Sequence, residues 1–308
     1  MEKVVIIGSG SAGLTAAIYC ARANLNPKVY TGILTGGLLT QTSDVENFPG
    51  FPESVNGFEL MYKFQEQAQR FGAEIINDSI TDAQLNPGDI HKLKTASGQE
   101  IETESIIIAT GATPRYLGLD AEKRLLNHGV SACATCDGAF YRDVPVVVIG
   151  GGDTAMEEAT FLTKFASKVT VIHRRDELRA SKIMAERAMN NPKIDFKWSC
   201  VVEDIIGEEE VGGVIIRDLK TNTTSTINCK GYFAALGHVP ATEMFNGQIA
   251  MDANGFIDLD AHSSCTSCLG VFGAGDCADH VYRQAITAAG MGCRAAIDAE
   301  RYLQIRET

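Results

Sequence analysis

Two stretches of this chain share a pattern that few folds accommodate. VVIIGSGSAGLTAA from Val4 and VVVIGGGDTAMEEA from Val146 each carry a β-branched run into a glycine turn and out into a small-residue, helix-like segment. The copies are too far apart for a solenoid repeat and suit two mononucleotide-binding domains in tandem. A second echo agrees: IIIATGATP, ending at Pro114, and YFAALGHVP, ending at Pro240, are apolar strands that stop at glycine and proline. Each domain thus has an opening and a closing strand. The fold class implied is α/β, with two Rossmann-like dinucleotide-binding domains.

The run LGVFGAGDCAD from Leu269 and the small-residue helix pattern from Gln284 to Leu303 bring no third glycine motif, so this tail has no nucleotide domain of its own to complete. The expectation is that it returns to the first domain. That domain comprises residues 1–112 and 243–308, with the second, 113–242, inserted; both crossings fall near proline. Glu208 to Glu210, before Gly212, reads as a solvated hairpin.

In the first copy Gly8, Gly10 and Gly13 stand between a predicted strand, Lys3 to Ile7, and a predicted helix, Ala12 to Ala23. The first glycine permits the tight turn, the second lets the backbone approach a pyrophosphate, and the third lets helix and strand pack closely. The helix N-terminus then faces the phosphate charge. Such folds usually place a carboxylate on the ribose at the end of the second strand, where this chain has Val29, Tyr30 and Thr31. The usual ribose contact is in doubt, and spacing alone does not say what replaces it.

The second copy has Gly150, Gly152 and Ala155 at the motif positions, and Asp153 and Thr154 beside them are counted with the cofactor site. Its second strand, predicted over Lys168 to Ile172, ends in His173, Arg174 and Arg175, with Arg179 a turn further on. A ribose 2′-phosphate is a dianion that guanidinium groups match with forked, charge-assisted hydrogen bonds. The position therefore argues for NADPH over NADH, the bland alternative being a solvated basic turn. One dinucleotide domain selective for NADPH implies a redox partner in the other, and FAD is the natural occupant. The run Gly273-Ala274-Gly275-Asp276 fits it, with Asp276 available to a ribityl hydroxyl. Ile80 is also counted among the cofactor-binding residues.

Nine cysteines, an odd number in a chain of 308 residues, read as mostly free thiols, so only close pairs invite a redox reading. Cys133-Ala-Thr-Cys136-Asp137-Gly lies directly before the second domain's first strand. Two intervening residues allow a short disulfide loop that can take two electrons from a reduced flavin, with Asp137 available to relay the proton. Zinc is the competitor, but Cys265 and Cys268 lie far beyond the roughly 15 to 20 residues that separate the pairs of a compact zinc module. Those two read as incidental thiols, and Cys20, Cys200, Cys229, Cys277 and Cys293 as packing residues. The six histidines show no metal spacing, so no metal site is expected.

A formal charge of -12 argues against nucleic acid, which a binder must attract with clustered Lys and Arg. No apolar run approaches the roughly 18 residues that span a bilayer, and the first strand-like run, from Lys3, leaves no room for a signal peptide. The expectation is a cytoplasmic protein with no membrane partner.

Taken together, the residues resemble the low-molecular-weight thioredoxin reductases, from Val4 to about Leu303. The resemblance is carried by Cys133-Ala-Thr-Cys136-Asp-Gly, HRRDELRAS from His173, VENFPGFP from Val45 and YRQAITAAGMG from Tyr282. It implies an NADPH-dependent thioredoxin-disulfide reductase, homodimeric, with thioredoxin as partner. It implies FAD contacts at Ser9, Gly10, Ala12, Gly36, Gly37, Asn47, Asp276, Arg283, Gln284 and Ala285. It further implies that Cys136 faces the flavin and Cys133 attacks the substrate disulfide. Two departures are expected to loosen FAD: Leu38 where the family usually has glutamine, and Ser11 where proline is common. In the related glutathione-reductase type the pair lies in the helix after the first motif, which here offers only Cys20. The resemblance therefore also implies that the inserted domain rotates about the linkers between half-reactions. Two rivals stay open: a flavin enzyme of the same architecture with another acceptor, and a non-catalytic nucleotide-dependent redox sensor.

Overall fold

Val4, Val5, Ile6 and Ile7 are all buried, so the first strand shows no face to water, as a central parallel strand covered on both sides requires. In the computed structural model, which describes residues 1–42 and 44–306, the chain divides into two units. One is Met1–Thr113 with Val239–Thr308 and the other Pro114–His238.

In the first unit β1 (Glu2–Ile7) leads through the glycine turn into α1 (Ser11–Arg22) and back to β2 (Lys28–Tyr30), parallel to β1. A 3-10 turn at Leu38–Gln41 and a short ribbon, β3 (Asp44–Val45) with β4 (Val55–Asn56), precede α2 (Gly57–Arg70). Asn56 caps α2, its side-chain oxygen accepting from the Phe58 and Glu59 N–H groups. Then come β5 (Glu74–Ile76), β6 (Ile80–Gln84), β7 (His91–Thr95) and β8 (Glu100–Ile108). The sheet order is β5-β2-β1-β8-β7-β6.

The second unit opens after β9 (Ala112–Pro114) with α3 (Asp120–Arg124), β10 (Val130–Ser131) and α4 (Ala134–Asp137). A second strand-turn-helix follows, β11 (Pro145–Ile149), α5 (Asp153–Leu162) and β12 (Lys168–His173), and then α6 (Lys182–Met189) and β13 (Ile194–Trp198). An antiparallel meander, β14 (Cys200–Ile206), β15 (Gly213–Asp218) and β16 (Thr224–Asn228), leads to β17 (Gly231–Ala234). Glu208 to Glu210 fall in the β14–β15 turn, as expected. The parallel sheet runs β10-β17-β11-β12-β13.

The chain returns through β18 (His238–Pro240), which pairs with β9, so the two crossings form a ribbon. Back in the first unit, β19 (Val271–Gly273) pairs with the end of β8, and α7 (Ala285–Arg306) lies on α1. That packing is close: a Cβ at Gly292 would fall 2.1 Å from the Ala12 carbonyl oxygen. β8 changes partner along its length, pairing antiparallel with β7 over its first half and parallel with β19 over its second. The five parallel strands of the two units therefore follow the same order, β5-β2-β1-β8-β19 and β13-β12-β11-β17-β10. The repeat seen in the sequence extends to the whole sheet.

Candidate active site

Each glycine turn is closed by the unit's own last central strand. Gly8 has φ +110°, and a Cβ there would lie 2.2 Å from the Ala109 carbonyl oxygen; one at Gly13 would lie 1.9 Å from the Gly8 oxygen. Gly150 repeats this against Ala235 at 2.5 Å. The middle glycines differ in kind, because Gly10 and Gly152 have nothing within 4 Å of where a Cβ would stand. No protein neighbour requires glycine there, and the space lies at the N-termini of α1 and α5, neither of which carries a side-chain cap. Unpaired helix N–H groups facing open space suit the diphosphate of a dinucleotide. The residues thus fit such a cofactor in both units.

In the first unit the Gly36 N–H donates to Ser9 Oγ at 2.9 Å, and Ser9 donates to the Thr31 carbonyl at 3.2 Å. A Cβ at Gly37 would stand 3.0 Å from Gly10 Cα, so this loop covers the turn. Thr31, where a ribose carboxylate was sought, is buried and spends its carbonyl on Ser9. Gly275 approaches α1 closely, since a Cβ on it would meet the Ala12 Cβ at 2.9 Å. Asp276 follows, its carboxyl pushed up to about 6 by burial, with Asp279 adding to the effect and Arg283 opposing it. Asn47 Nδ2 donates to Gln284 Oε1 at 3.3 Å, which joins two expected contacts. Arg283, Gln284 and Ala285 sit at the start of α7, on a loop organised by Asp279. That carboxylate accepts from the Val281, Tyr282 and Arg283 N–H groups at 2.9, 2.9 and 3.2 Å. Asp279 was not singled out in the sequence; its spacing of two to four residues from those amides was the available signal. Ile80's side chain is buried in the core with Ile7 and Tyr30.

In the second unit Arg174, Arg175 and Arg179 are exposed, and none makes an ion pair among the described residues. The segment carrying them is tied to the glycine turn, with the Arg179 and Ala180 N–H groups donating to the Gly151 carbonyl at 2.7 and 3.2 Å. The Ser181 N–H donates to Asp153 Oδ1 at 2.7 Å. His173 is buried against Gly151, and its Nε2–H donates to the Glu177 carbonyl at 3.1 Å. Burial first, then the three arginines, hold this imidazole below its ordinary pKa, so it is neutral. His173 and Asp153 thus hold the arginine segment in place. Thr154 and Ala155 lie in the first turn of α5.

Cys133 and Cys136 form a disulfide across α4, with Cα atoms 5.3 Å apart. The Cys136 and Asp137 N–H groups both donate to the Cys133 carbonyl, and Thr135 Oγ1 lies 3.3 Å from Cys133 Sγ. Burial raises the Asp137 carboxyl above the usual range, partly offset by the Ser131 hydroxyl, which donates to Oδ2 at 2.5 Å. Ser131 was not singled out in the sequence. Cys20, Cys200, Cys229 and Cys277 are buried free thiols, Cys293 is partly exposed, and Cys265 and Cys268 are unpaired with each other. Among the described residues no group of three His, Cys, Asp or Glu is placed to hold a metal.

Residues 2–292 match the model of the pyridine nucleotide-disulphide oxidoreductases. A thioredoxin reductase of Streptomyces clavuligerus is 52% identical over 304 residues, 98% of this chain and 94% of that protein. The solved thioredoxin reductase of Giardia duodenalis superimposes with a TM-score of 0.93 at 43% identity, covering 98% of each chain. A bifunctional thioredoxin reductase/thioredoxin of Mycobacterium leprae is 48% identical over 98% of this chain and 66% of its own length. With two open glycine turns and one adjacent disulfide, these matches place the chain in the pyridine nucleotide-disulphide oxidoreductase family, among its low-molecular-weight thioredoxin reductases.

Proposed function

We propose that this chain is an NADPH-dependent thioredoxin reductase that holds FAD on the first unit, binds NADPH on the second, and passes electrons through Cys133 and Cys136. The family uses a flavin and a nicotinamide cofactor; the finer identities rest on the residues. One observation carries the reading: a Cys133–Cys136 disulfide beside the half-buried carboxyl of Asp137, in the unit whose glycine turn is tied to a segment with three exposed arginines. Arg174, Arg175 and Arg179 favour the 2′-phosphate of NADPH. Asp276, Arg283 and Gln284, beside the roofed turn at Gly8 to Gly13, favour FAD.

When bound, NADPH supplies a hydride and FAD passes on its two electrons singly or as a pair. The chain's part begins once Cys133 and Cys136 are reduced. The Cys133 thiolate attacks one sulfur of the thioredoxin disulfide, and the other thioredoxin sulfur leaves as a thiolate and takes up a proton. Cys136 then attacks Cys133 in the mixed disulfide, restoring the Cys133–Cys136 bond and releasing the second thioredoxin thiol. Asp137, whose carboxyl burial raises above the usual range, supplies a proton beside the pair and recovers one from solvent. The relative in which reductase and thioredoxin are one chain supports thioredoxin as the partner. A homodimer in the cytoplasm completes the reading and rests on the resemblance alone.

The test is NADPH consumption with oxidised thioredoxin, for the parent and for a Cys133→Ser variant that retains its flavin. Thioredoxin-dependent turnover should vanish in the variant. Equal consumption by both would mean that electrons leave directly from the flavin, and the relay would be abandoned for a flavin-based reductase or oxidase.

A further inference from the structure

Reducing a disulfide by two electrons breaks the S–S bond and leaves two sulfur anions, of which one must take up a proton near neutral pH. Asp137 follows Cys136 directly, but a carboxyl that gives and regains a proton in a buried place needs a partner for both of its charge states. Ser131, only 5% exposed at the end of β10, has that geometry. Its Oγ lies 2.5 Å from Asp137 Oδ2, accepts the Cys133 N–H at 3.0 Å, and can donate to the Cys133 carbonyl at 3.5 Å. With Asp137 ionised, the Ser131 hydroxyl donates to the carboxylate. With Asp137 protonated, the hydroxyl accepts from it and turns its own hydrogen toward the Cys133 carbonyl.

We propose that Ser131 is a positioning residue for the proton taken up at the Cys133–Cys136 pair, joining Asp137 and the Cys133 backbone through one hydroxyl. This rests on the disulfide relay above. In the reductive direction two electrons from the bound flavin break the S–S bond, one sulfur keeps its charge, and the other takes the Asp137 proton. The Asp137 carboxylate left behind then accepts the Ser131 O–H. Reoxidation by the partner disulfide removes two electrons and that proton from the pair and delivers them to the partner, whose second proton comes from solvent, and Asp137 is reprotonated from solvent. The other titratable groups facing Asp137 are Tyr116, after the first crossing, and Tyr141, in the 3-10 turn Gly138–Tyr141. Burial raises both phenols, Tyr141 to about 12, so both are neutral in the working range. The Ser131 hydroxyl is then the neighbour whose loss alters the carboxyl's balance.

The experiment follows thioredoxin-dependent turnover against pH for the parent, Ser131→Ala and Ser131→Thr. NADPH–ferricyanide turnover, which does not need the cysteines, confirms that each variant keeps its flavin. Ser131→Ala should lower the thioredoxin-dependent kcat about tenfold and move the alkaline limb of its profile up by about one unit, because the carboxylate loses a charge-assisted bond. Ser131→Thr, which keeps the hydroxyl, should restore both. If the alanine chain fails to fold, Ser131→Thr and its isostere Ser131→Val make the same comparison, differing in that hydroxyl alone. An alkaline limb that stays where the parent has it, whether or not the rate falls, overturns the proposal. The parent reading is judged separately by Cys133→Ser: turnover that needs Cys133 beside an unmoved limb refutes this inference alone.

Discussion

Replacing Gly151 by alanine should cost the protein the proposed preference for NADPH while leaving the backbone turn intact. Gly151 does not sit in the left-handed region, so alanine meets no conformational strain there. The obstacle is the His173 ring, since the new Cβ would lie 2.3 Å from Cε1 and Nδ1, against ordinary contacts of 3.4 to 4 Å. His173 cannot retreat into the core, because its backbone is paired with Trp198 and its side chain is already buried. The ring must swing out, which breaks its bond to the Glu177 carbonyl and displaces Arg174 and Arg175, the next two residues. The overpacking costs about 1–3 kcal/mol of stability. Losing one guanidinium–phosphate bond costs NADPH about 1.5–3 kcal/mol, or roughly 10- to 100-fold in KM, which NADH, lacking the phosphate, does not feel. Reduction of the flavin by each coenzyme, with ferricyanide as acceptor, gives kcat/KM without involving the cysteines. The ratio of NADPH to NADH should fall at least tenfold, on the same arithmetic. Gly152→Ala is the control: its Cβ meets no protein atom but fills the diphosphate space, so it should weaken both coenzymes alike. A folded Gly151→Ala chain with an unchanged ratio would refute the reasoning.

Glu122 is buried and accepts from the Leu117, Gly118 and Leu119 N–H groups and from the Tyr232 hydroxyl at 3.0, 2.8, 3.0 and 2.7 Å. Glu122→Ala strips four donors of their acceptor and should cost about 3 kcal/mol in urea unfolding, with Glu122→Gln costing less. Asp276, pushed up to about 6, holds its proton in the folded chain after the unfolded chain has released it. Its contribution to stability is therefore full below about pH 4 and lost as the pH rises through about 6, a swing of about 3 kcal/mol. Thermal unfolding of the flavin-free protein should show that decline for the parent, and Asp276→Asn should flatten it.

What was legible in the sequence was whatever burial and backbone geometry write into a periodic pattern. β1 and β11 declared themselves because strands covered on both faces are apolar throughout, and their turns because Gly8 and Gly150 face the carbonyls of Ala109 and Ala235. The helix expected from Ala12 begins at Ser11, and the strand expected to end at Ile172 reaches His173, errors of one residue that fraying explains. The position of the arginines was legible because they follow the end of the second strand, and the structure leaves all three exposed there. The parts that hold them were not. His173 looked like a ligand from its neighbours, yet its ring packs on Gly151, a contact between turn and strand that no spacing rule records. Ser131 escaped notice for a similar reason: a serine before a cysteine has no special pattern until α4 folds back and brings Asp137 to its hydroxyl.

The two turns began from one pattern, and the way each is covered assigns them different work. The turn at Gly8 to Gly13 is closed by segments remote in sequence: Gly36 and Gly37 over Ser9 and Gly10, and Gly275 and Gly292 against Ala12. A ligand lodged there must separate several packed segments to leave. The turn at Gly150 to Ala155 is covered by one segment that follows its own strand, tied to Gly151 by two backbone bonds and ending in exposed arginines. A ligand there is held mainly by surface charge and can exchange without unpacking the core. The third motif position records the same difference, since Gly13 tolerates no Cβ against Gly8 whereas Ala155 carries one. The proposed placement, a resident flavin on the first unit and an exchanging nicotinamide coenzyme on the second, matches these two kinds of cover in order. The raised salt sensitivity expected at an arginine-held site should therefore appear in the KM for NADPH and not in the retention of flavin.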